Sequence, residues 1–208
     1  MIAETLFRNR VHAGSLLCEK LSDEHIKVDL VIALPRGGVP LGAKIADCLR
    51  IPLRLLLIRK IGHPINPEYA IGAVSETGLF LNEGNHYGQE YLKNAIKKER
   101  SRILEMKTIF KNLYQGEEVR GKDVLLVDDG IATGTCMRLA IKELQESGAH
   151  KIRIAVPVCA QHSANKIEQE VDSFICLYSP VAFLGIGAYY REFDQLTDEK
   201  VVEILNKK

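Results

Sequence analysis

The sequence predicts an α/β fold: a doubly wound, mainly parallel sheet flanked by helices, with a small hood or insertion containing a hairpin and a long helix. Three observations predict it. Four short runs rich in Val, Ile and Leu, at 29–34, 53–58, 124–127 and 152–158, are continuously apolar rather than alternating. Such runs mark strands covered on both faces, as in a parallel sheet sandwiched by helices. Helical patterns separate the runs in the order a doubly wound sheet requires. The chain has 208 residues, 46% apolar and 26% charged, an ordinary globular composition. It excludes disordered, fibrous and membrane classes and supports one domain over 1–208.

Each element has a local reason. After the first run, Pro40 suits a first helical turn, and Leu41, Ile45 and Leu49 repeat at four-residue spacing until Ile51-Pro52 closes the helix. A second unit begins at Gly134: Met137, Ala140, Ile141 and Leu144 form one stripe, and Gly148 stands at a C-terminal cap position. It leads into the run at 152–158. Residues 174–178 read as one more strand, and Thr197-Asp198-Glu199 as the capped start of a last helix through Leu205. Between the two units lies an insertion, 61–121, that leaves the alternation. Strand candidates at 70–76 and 79–82 surround the turn pair Thr77-Gly78. A long helix follows at 89–114, with Leu92, Ile96, Ile103, Met106, Phe110 and Leu113 in one stripe. That stripe either folds back on the domain or pairs with a second copy in a homodimer. The opposite face, Lys97-Lys98-Glu99-Arg100, reads as solvated.

Lys plus Arg number 28 against 27 Asp plus Glu, a net charge of +1, so no overall field draws in nucleic acid or anionic lipid. Any anion site is local. The five cysteines, Cys18, Cys48, Cys136, Cys159 and Cys176, are scattered and show no C-x-x-C pair, and they are predicted to be reduced packing residues. The N-terminus lacks the apolar core of a signal peptide, and no apolar run approaches a membrane span. The predicted location is the cytoplasm, with no membrane partner.

The chemistry concentrates in Val124-Leu125-Leu126-Val127-Asp128-Asp129-Gly130-Ile131-Ala132-Thr133-Gly134-Thr135-Cys136. A buried strand ends in two carboxylates, and a turn of small residues then opens a helix. Ligands of open α/β sheets bind beyond the carboxyl ends of the strands, where this places Asp128 and Asp129. Unpaired backbone N–H groups at the helix start, with the hydroxyls of Thr133 and Thr135, cradle a phosphate. Carboxylates beside that cradle make sense if they face donors, such as the two hydroxyls of a ribose, with a divalent cation moderating the charge. Together these features describe a ribose 5-phosphate site.

This segment resembles the phosphoribosyl pyrophosphate (PRPP) motif of the type I phosphoribosyltransferases over 13 contiguous positions. It departs from the commonest pattern at Gly130, where many members carry an aliphatic residue, and at Ala132, where the hypoxanthine-guanine enzymes carry an acid. Ala132 resembles the adenine enzymes, and with it goes a carboxyl group near the acceptor, so no general base is assigned. The resemblance implies that Asp128 and Asp129 hold the ribose diol and Mg2+, while Gly130, Ile131, Ala132, Thr133, Gly134 and Thr135 form the 5-phosphate loop.

A second element, Ala33-Leu34-Pro35-Arg36-Gly37-Gly38-Val39-Pro40, follows the first run on the same edge of the sheet. Its two glycines let backbone amides approach an anion, and Arg36 adds a fork of donors for phosphate oxygens. It resembles the family's pyrophosphate loop, in which a cis peptide is common, making Pro35–Arg36 the candidate bond. A third, Arg59-Lys60, follows the run at 53–58 and resembles the pair that opens the mobile loop of adenine and orotate enzymes. The implied role is catalytic: two cations offset the charge on departing pyrophosphate while the loop excludes water. His63, nearby, has no assigned role.

Late in the chain, Gly185-Ile186-Gly187-Ala188-Tyr189-Tyr190-Arg191-Glu192-Phe193 joins small residues to aromatics. Tyr189, Tyr190 and Phe193 either stack on an acceptor ring or belong to the core. With Asn66-Pro67-Glu68-Tyr69-Ala70-Ile71-Gly72-Ala73, this tail is similar to a bacterial subgroup of predicted phosphoribosyltransferases, a likeness that supplies no acceptor. The implied activity is transfer of 5-phosphoribosyl from Mg-PRPP to a nucleobase-like acceptor nitrogen with release of pyrophosphate. The alternatives are a PRPP-sensing regulator that binds nucleic acid or a protein partner without catalysis, and a hydrolase or carrier of phosphoribosyl compounds.

Overall fold

A computed structural model describes residues 6–67, 69–82, 87–111 and 119–206. Five parallel strands, β1 (Leu30–Ala33), β2 (Leu53–Leu55), β6 (Asp123–Val127), β7 (Lys151–Val158) and β8 (Ser173–Tyr178), form the central sheet in the order β2-β1-β6-β7-β8. A second, antiparallel sheet in the order β3-β4-β5 is built from β3 (Arg59–Gly62), β4 (Ala70–Val74) and β5 (Leu79–Leu81). Six α-helices complete the fold: α1 (Arg10–Asp23), α2 (Gly38–Leu49), α3 (Gln89–Phe110), α4 (Thr135–Glu146), α5 (Gln161–Ile167) and α6 (Asp198–Asn206).

The continuous apolar runs have the predicted cause. Along β1, Val31 and Ala33 enter one core while Leu30 and Ile32 enter another, and β6 divides likewise, with Leu125 and Val127 on one side and Val124 and Leu126 on the other. Both faces are therefore covered. α1 and α2 lie over the first face, and α4 and α5 over the second. α3 folds its stripe back onto its own chain: Ile103, Met106 and Phe110 are buried in the first core, with Leu92 and Ile96 packed against it. Its predicted end at 114, with Leu113, lies outside the described residues, as do Glu68 and residues 1–5.

The structure differs from the sequence reading at four places. The predicted strand 53–58 leaves the parallel sheet after Leu55. Residues Leu56, Leu57 and Ile58 are buried as a link between the two sheets. Arg59 and Lys60 consequently stand within β3, paired with Val74 and Ala73 of β4, rather than opening a loop. Two helices, α1 and α5, have no counterpart in the sequence reading. Finally, the cysteines are not all thiols. The packing of α1 against α2 brings Cys18 and Cys48 together as a disulfide, while Cys136, Cys159 and Cys176 remain free. Among the described residues no helix is long and apolar enough to cross a membrane.

Candidate active site

The carboxyl ends of β1 and β6, neighbours in the sheet, bring the two Gly-containing loops together. The peptide between Pro35 and Arg36 is cis, as the resemblance implies. Gly37 and Gly38 then lie so close to the end of β6 that neither tolerates a side chain. A Cβ on Gly38 would stand 2.5 Å from the Val127 carbonyl oxygen and 3.0 Å from the Asp128 Cα, and one on Gly37 would overlap the Asp129 carboxylate. The glycines thus serve the approach of one loop to the other, and the acid pair lies directly beside the Arg36-Gly37-Gly38 turn. The Arg36 side chain reaches toward α6, with its Nη1 3.8 Å from Asp198 Oδ1.

A cavity of about 470 Å³ opens beside this junction. Asp128, the whole turn from Gly130 to Thr135, and Lys60 line it, together with Cys136, Met137, Gly185, Ile186, Gly187 and Phe193. Gly134 has a φ of +76° and opens α4, a backbone state that favours glycine. The turn is braced from below. Ile131 N–H donates to the Val158 carbonyl, Ala160 N–H to the Ile131 carbonyl, and Ser163 Oγ to the Ala132 carbonyl at 2.6 Å. The Thr133 and Thr135 hydroxyls share a hydrogen bond of 2.9 Å, and Thr135 Oγ1 also donates to Asn82 of the hood. At Gly130 the missing side chain leaves room for Ile186, which would meet a Cβ there at 2.8 Å. The departure at Gly130 is thus explained by the tail that crosses over it.

The two carboxylates are not equivalent. Asp128 faces the cavity, and its Oδ1 accepts the Asp129 N–H. Asp129 is instead paired with Arg10, whose Nε donates to Asp129 Oδ2 at 2.8 Å, and its backbone carbonyl accepts the Tyr190 hydroxyl. Asp128 thus faces the cavity, whereas Asp129 turns toward α1 and Gly37. Burial raises both carboxyls above the usual range. The Asp129 charge raises Asp128 further, whereas the Arg10 guanidinium opposes the rise at Asp129. Burial also pushes the Cys136 thiol up to about 12.

The predicted catalytic pair divides as well. Lys60 lines the central cavity and a neighbouring cleft of about 420 Å³ between β3 and α3. Arg59 lines only the cleft, where its Nε donates to Glu99 at 3.0 Å, and Glu99 also takes Arg102. Arg100 donates to the Ser75 and Thr77 carbonyls, so this cation of the charged α3 segment ties α3 to the hood. His63 stabilises its own turn by accepting the Ile65 and Asn66 N–H groups. Tyr189 and Tyr190 are buried core residues, and Phe193 is the aromatic that reaches the cavity. Arg10 is the site residue that sequence reasoning missed. The readable signal was the cap: Asn9 accepts the His12 N–H and so begins α1 at Arg10.

The model of the phosphoribosyl transferase domain family matches residues 6–190. A Mycobacterium tuberculosis protein whose name carries a provisional assignment as a phosphoribosyl transferase is 34% identical over 210 residues, covering 97% of this chain and 47% of that protein. The chain therefore spans about half the length of the curated relatives it matches first. Amidophosphoribosyltransferase of Escherichia coli is 26% identical over 153 residues, covering 73% of this chain and 25% of the enzyme. Among solved structures, the Thermus thermophilus protein TT1426 is 34% identical with a TM-score of 0.79, covering 97% of this chain and 98% of that one. A hypothetical protein from Neisseria gonorrhoeae, solved with bound ppGpp, shares the fold with a TM-score of 0.53 and 16% identity over 97% and 96% of the two chains.

Proposed function

The chain belongs to the phosphoribosyl transferase domain family, and on that premise we propose that it transfers a 5-phosphoribosyl group from Mg-PRPP to the nitrogen of a nucleobase-like acceptor. The bond from the sugar C1 to pyrophosphate breaks, the C1–N bond forms, and the acceptor proton passes to the leaving group or to water. The observation that carries this reading is the shared cavity. Asp128 stands at one end of the Gly130–Thr135 turn, and the hydroxyl-lined helix start stands at the other.

In this reading the backbone N–H groups and hydroxyls of Thr133, Gly134 and Thr135 hold the 5-phosphate. Asp128 takes the ribose diol, with Asp129 beside it. Arg36, Gly37 and Gly38 hold the pyrophosphate, and Lys60 offsets its charge as it departs. Arg59, bound to Glu99, supports β3 beside Lys60. Ile186 and Phe193 form the acceptor wall. The donor set suits Mg2+: the acid pair offers hard oxygens. Among the described residues no three His, Cys, Asp or Glu side chains cluster into a protein cage. Asp128 and Asp129 would hold the Mg2+, and when bound it would neutralise charge on the pyrophosphate.

A pyrophosphate-release screen with Mg-PRPP and a panel of purines, pyrimidines and small amines tests the proposal. Acceptor-dependent release is expected. Release without any acceptor supports a hydrolase instead, and PRPP binding with no release supports a regulator. For the site itself, Asp128→Asn should weaken Mg-PRPP binding by roughly 10- to 150-fold in calorimetry, the equivalent of one hydrogen bond to a charged group. An unchanged dissociation constant ends the ribose assignment.

A further inference from the structure

Arg10 carries none of the sequence motifs, yet its guanidinium joins three distant segments. It is the first residue of α1, and residues 6–8 lead into it already paired with the tail. Leu6 and Phe7 N–H groups donate to the Tyr189 carbonyl, Arg191 N–H to the Phe7 carbonyl, and Glu192 N–H to the Arg8 carbonyl. From this anchored start the Arg10 side chain makes three contacts. Nε donates to Asp129 Oδ2 at 2.8 Å, Nη1 donates to the Asp194 carbonyl at 2.8 Å, and the guanidinium lies 3.8 Å from the centre of the Phe193 ring.

The location gives these contacts meaning. The Arg10 and Asp129 side chains are 11% and 10% exposed. An ion pair this buried adds little net stability over apolar side chains of similar size, because desolvation offsets the attraction. Its contribution is geometric. A planar fork with a fixed set of donors determines where its partners sit far better than a packed aliphatic chain would. One partner, Asp129, lies against Gly37 of the proposed pyrophosphate turn, with its backbone held by Tyr190. The other, Phe193, lines the central cavity. Arg10 therefore contacts an acid next to the cavity and an aromatic ring that lines it, without lining it itself.

We propose that Arg10 is a positioning residue for both substrates: it fixes Asp129 beside the pyrophosphate turn for Mg-PRPP and fixes Phe193 as the wall against which the acceptor rests. This inference rests on the reading of the cavity as a Mg-PRPP site. The opposite role, in which Arg10 occupies the acid and competes with the sugar, predicts unchanged or tighter binding when Arg10 is replaced.

The test uses the full chain and isothermal titration with Mg-PRPP. Arg10→Gln should weaken binding by about tenfold or more, and Asp129→Asn by a similar factor. The double variant should lose no more than the worse single variant, because residues acting through one contact are not additive. Arg10→Lys keeps the charge without the fork and should recover only part of the affinity, with its circular dichroism and melting temperature close to wild type. Methylguanidine added to Arg10→Ala should restore part of the binding, a response that a purely structural arginine would not give. Where an acceptor has been found, Arg10→Gln should also raise its KM more than it lowers kcat. Unchanged or tighter binding in Arg10→Gln overturns the inference, as do additive losses in the double variant. If Arg10→Gln unfolds, Arg10→Lys and the methylguanidine rescue decide. A wild-type chain that does not bind Mg-PRPP overturns the reading of the cavity, and this inference falls with it; normal wild-type binding with insensitive Arg10 variants overturns the inference alone.

Discussion

Gly38→Ala is the substitution for which the structure fixes a magnitude. The added Cβ would stand 2.5 Å from the Val127 carbonyl oxygen, against ordinary contacts of 3.4 Å or more, and also 3.0 Å from the Asp128 Cα. Both obstacles are backbone at the end of a central strand, so the turn at 35–38 must retreat by nearly an ångström. Overpacking of this kind costs about 1–3 kcal/mol. Position 38 begins α2, and the better helix propensity of alanine returns up to about 1 kcal/mol. The net destabilisation centres on about 1–2 kcal/mol, a fall in melting temperature of roughly 2–8 °C for a chain of this length. The larger effect falls on the ligand, since a displacement of about 1 Å in a binding turn can cost on the order of 100-fold in rate. Calorimetry with Mg-PRPP should show at least about tenfold weaker binding. Gly88→Ala is the control, because a Cβ there meets nothing within 4 Å. Wild-type melting and wild-type affinity in Gly38→Ala would refute the claim that the two loops share one site through contact at this glycine.

Three further outcomes follow from the structure. Asp123, at the start of β6, is held below the usual carboxylate range by the hydrogen bond to His150, opposed by burial, and by Arg153. A depressed folded value stabilises the chain above the unfolded value of about 3.9 and ceases to do so as pH falls through the folded value. Asp123→Asn should therefore flatten the decline of melting temperature between about pH 5 and 3, and an unchanged slope contradicts the pairing. Cys136 follows the 130–135 turn with its thiol pushed up to about 12, so iodoacetamide at pH 8 should alkylate it far more slowly than free cysteine, as peptide mass mapping would show. Tyr190→Phe strips the buried Asp129 carbonyl of its hydroxyl partner and should cost about 1–3 kcal/mol in urea unfolding; a loss below the error of the measurement would mean the carbonyl finds another donor.

What the sequence disclosed tracks how local each signal is. The strands β1, β6 and β7 were legible because two-sided burial writes itself as uninterrupted Val, Ile and Leu, and the 128–135 turn because strand, acids and helix start are contiguous. β3 was not legible, since Arg59-Lys60-Ile61-Gly62 is short, charged and half-buried, and its strand character comes from pairing with β4. α1 escaped notice because its buried face uses Ala13, Gly14, Leu17, Cys18 and Leu21, a stripe thinned by small residues that pack closely on α2. The separate orientations of Asp128 and Asp129 lie beyond any local reading. Arg10 is 119 positions from the acid it holds, and long-range packing of α1 and the pairing of residues 6–8 with 189–192 bring them together.

That pairing of residues 6–8 with 189–192 makes the pocket depend on a contact between segments far apart in sequence. Residues 6–8 and 189–192 are held by a handful of main-chain bonds and the contact of Phe7 with Tyr190. Phe7, Tyr189 and Tyr190 are buried in the first core, so opening this pairing also exposes apolar surface. Fraying there would release Arg10 from one side and Phe193 from the other in a single event, and the fraction of molecules able to engage ligand would scale the apparent affinity. Ligand that engages the closed form would in turn protect these amides from hydrogen exchange, although none of them touches it.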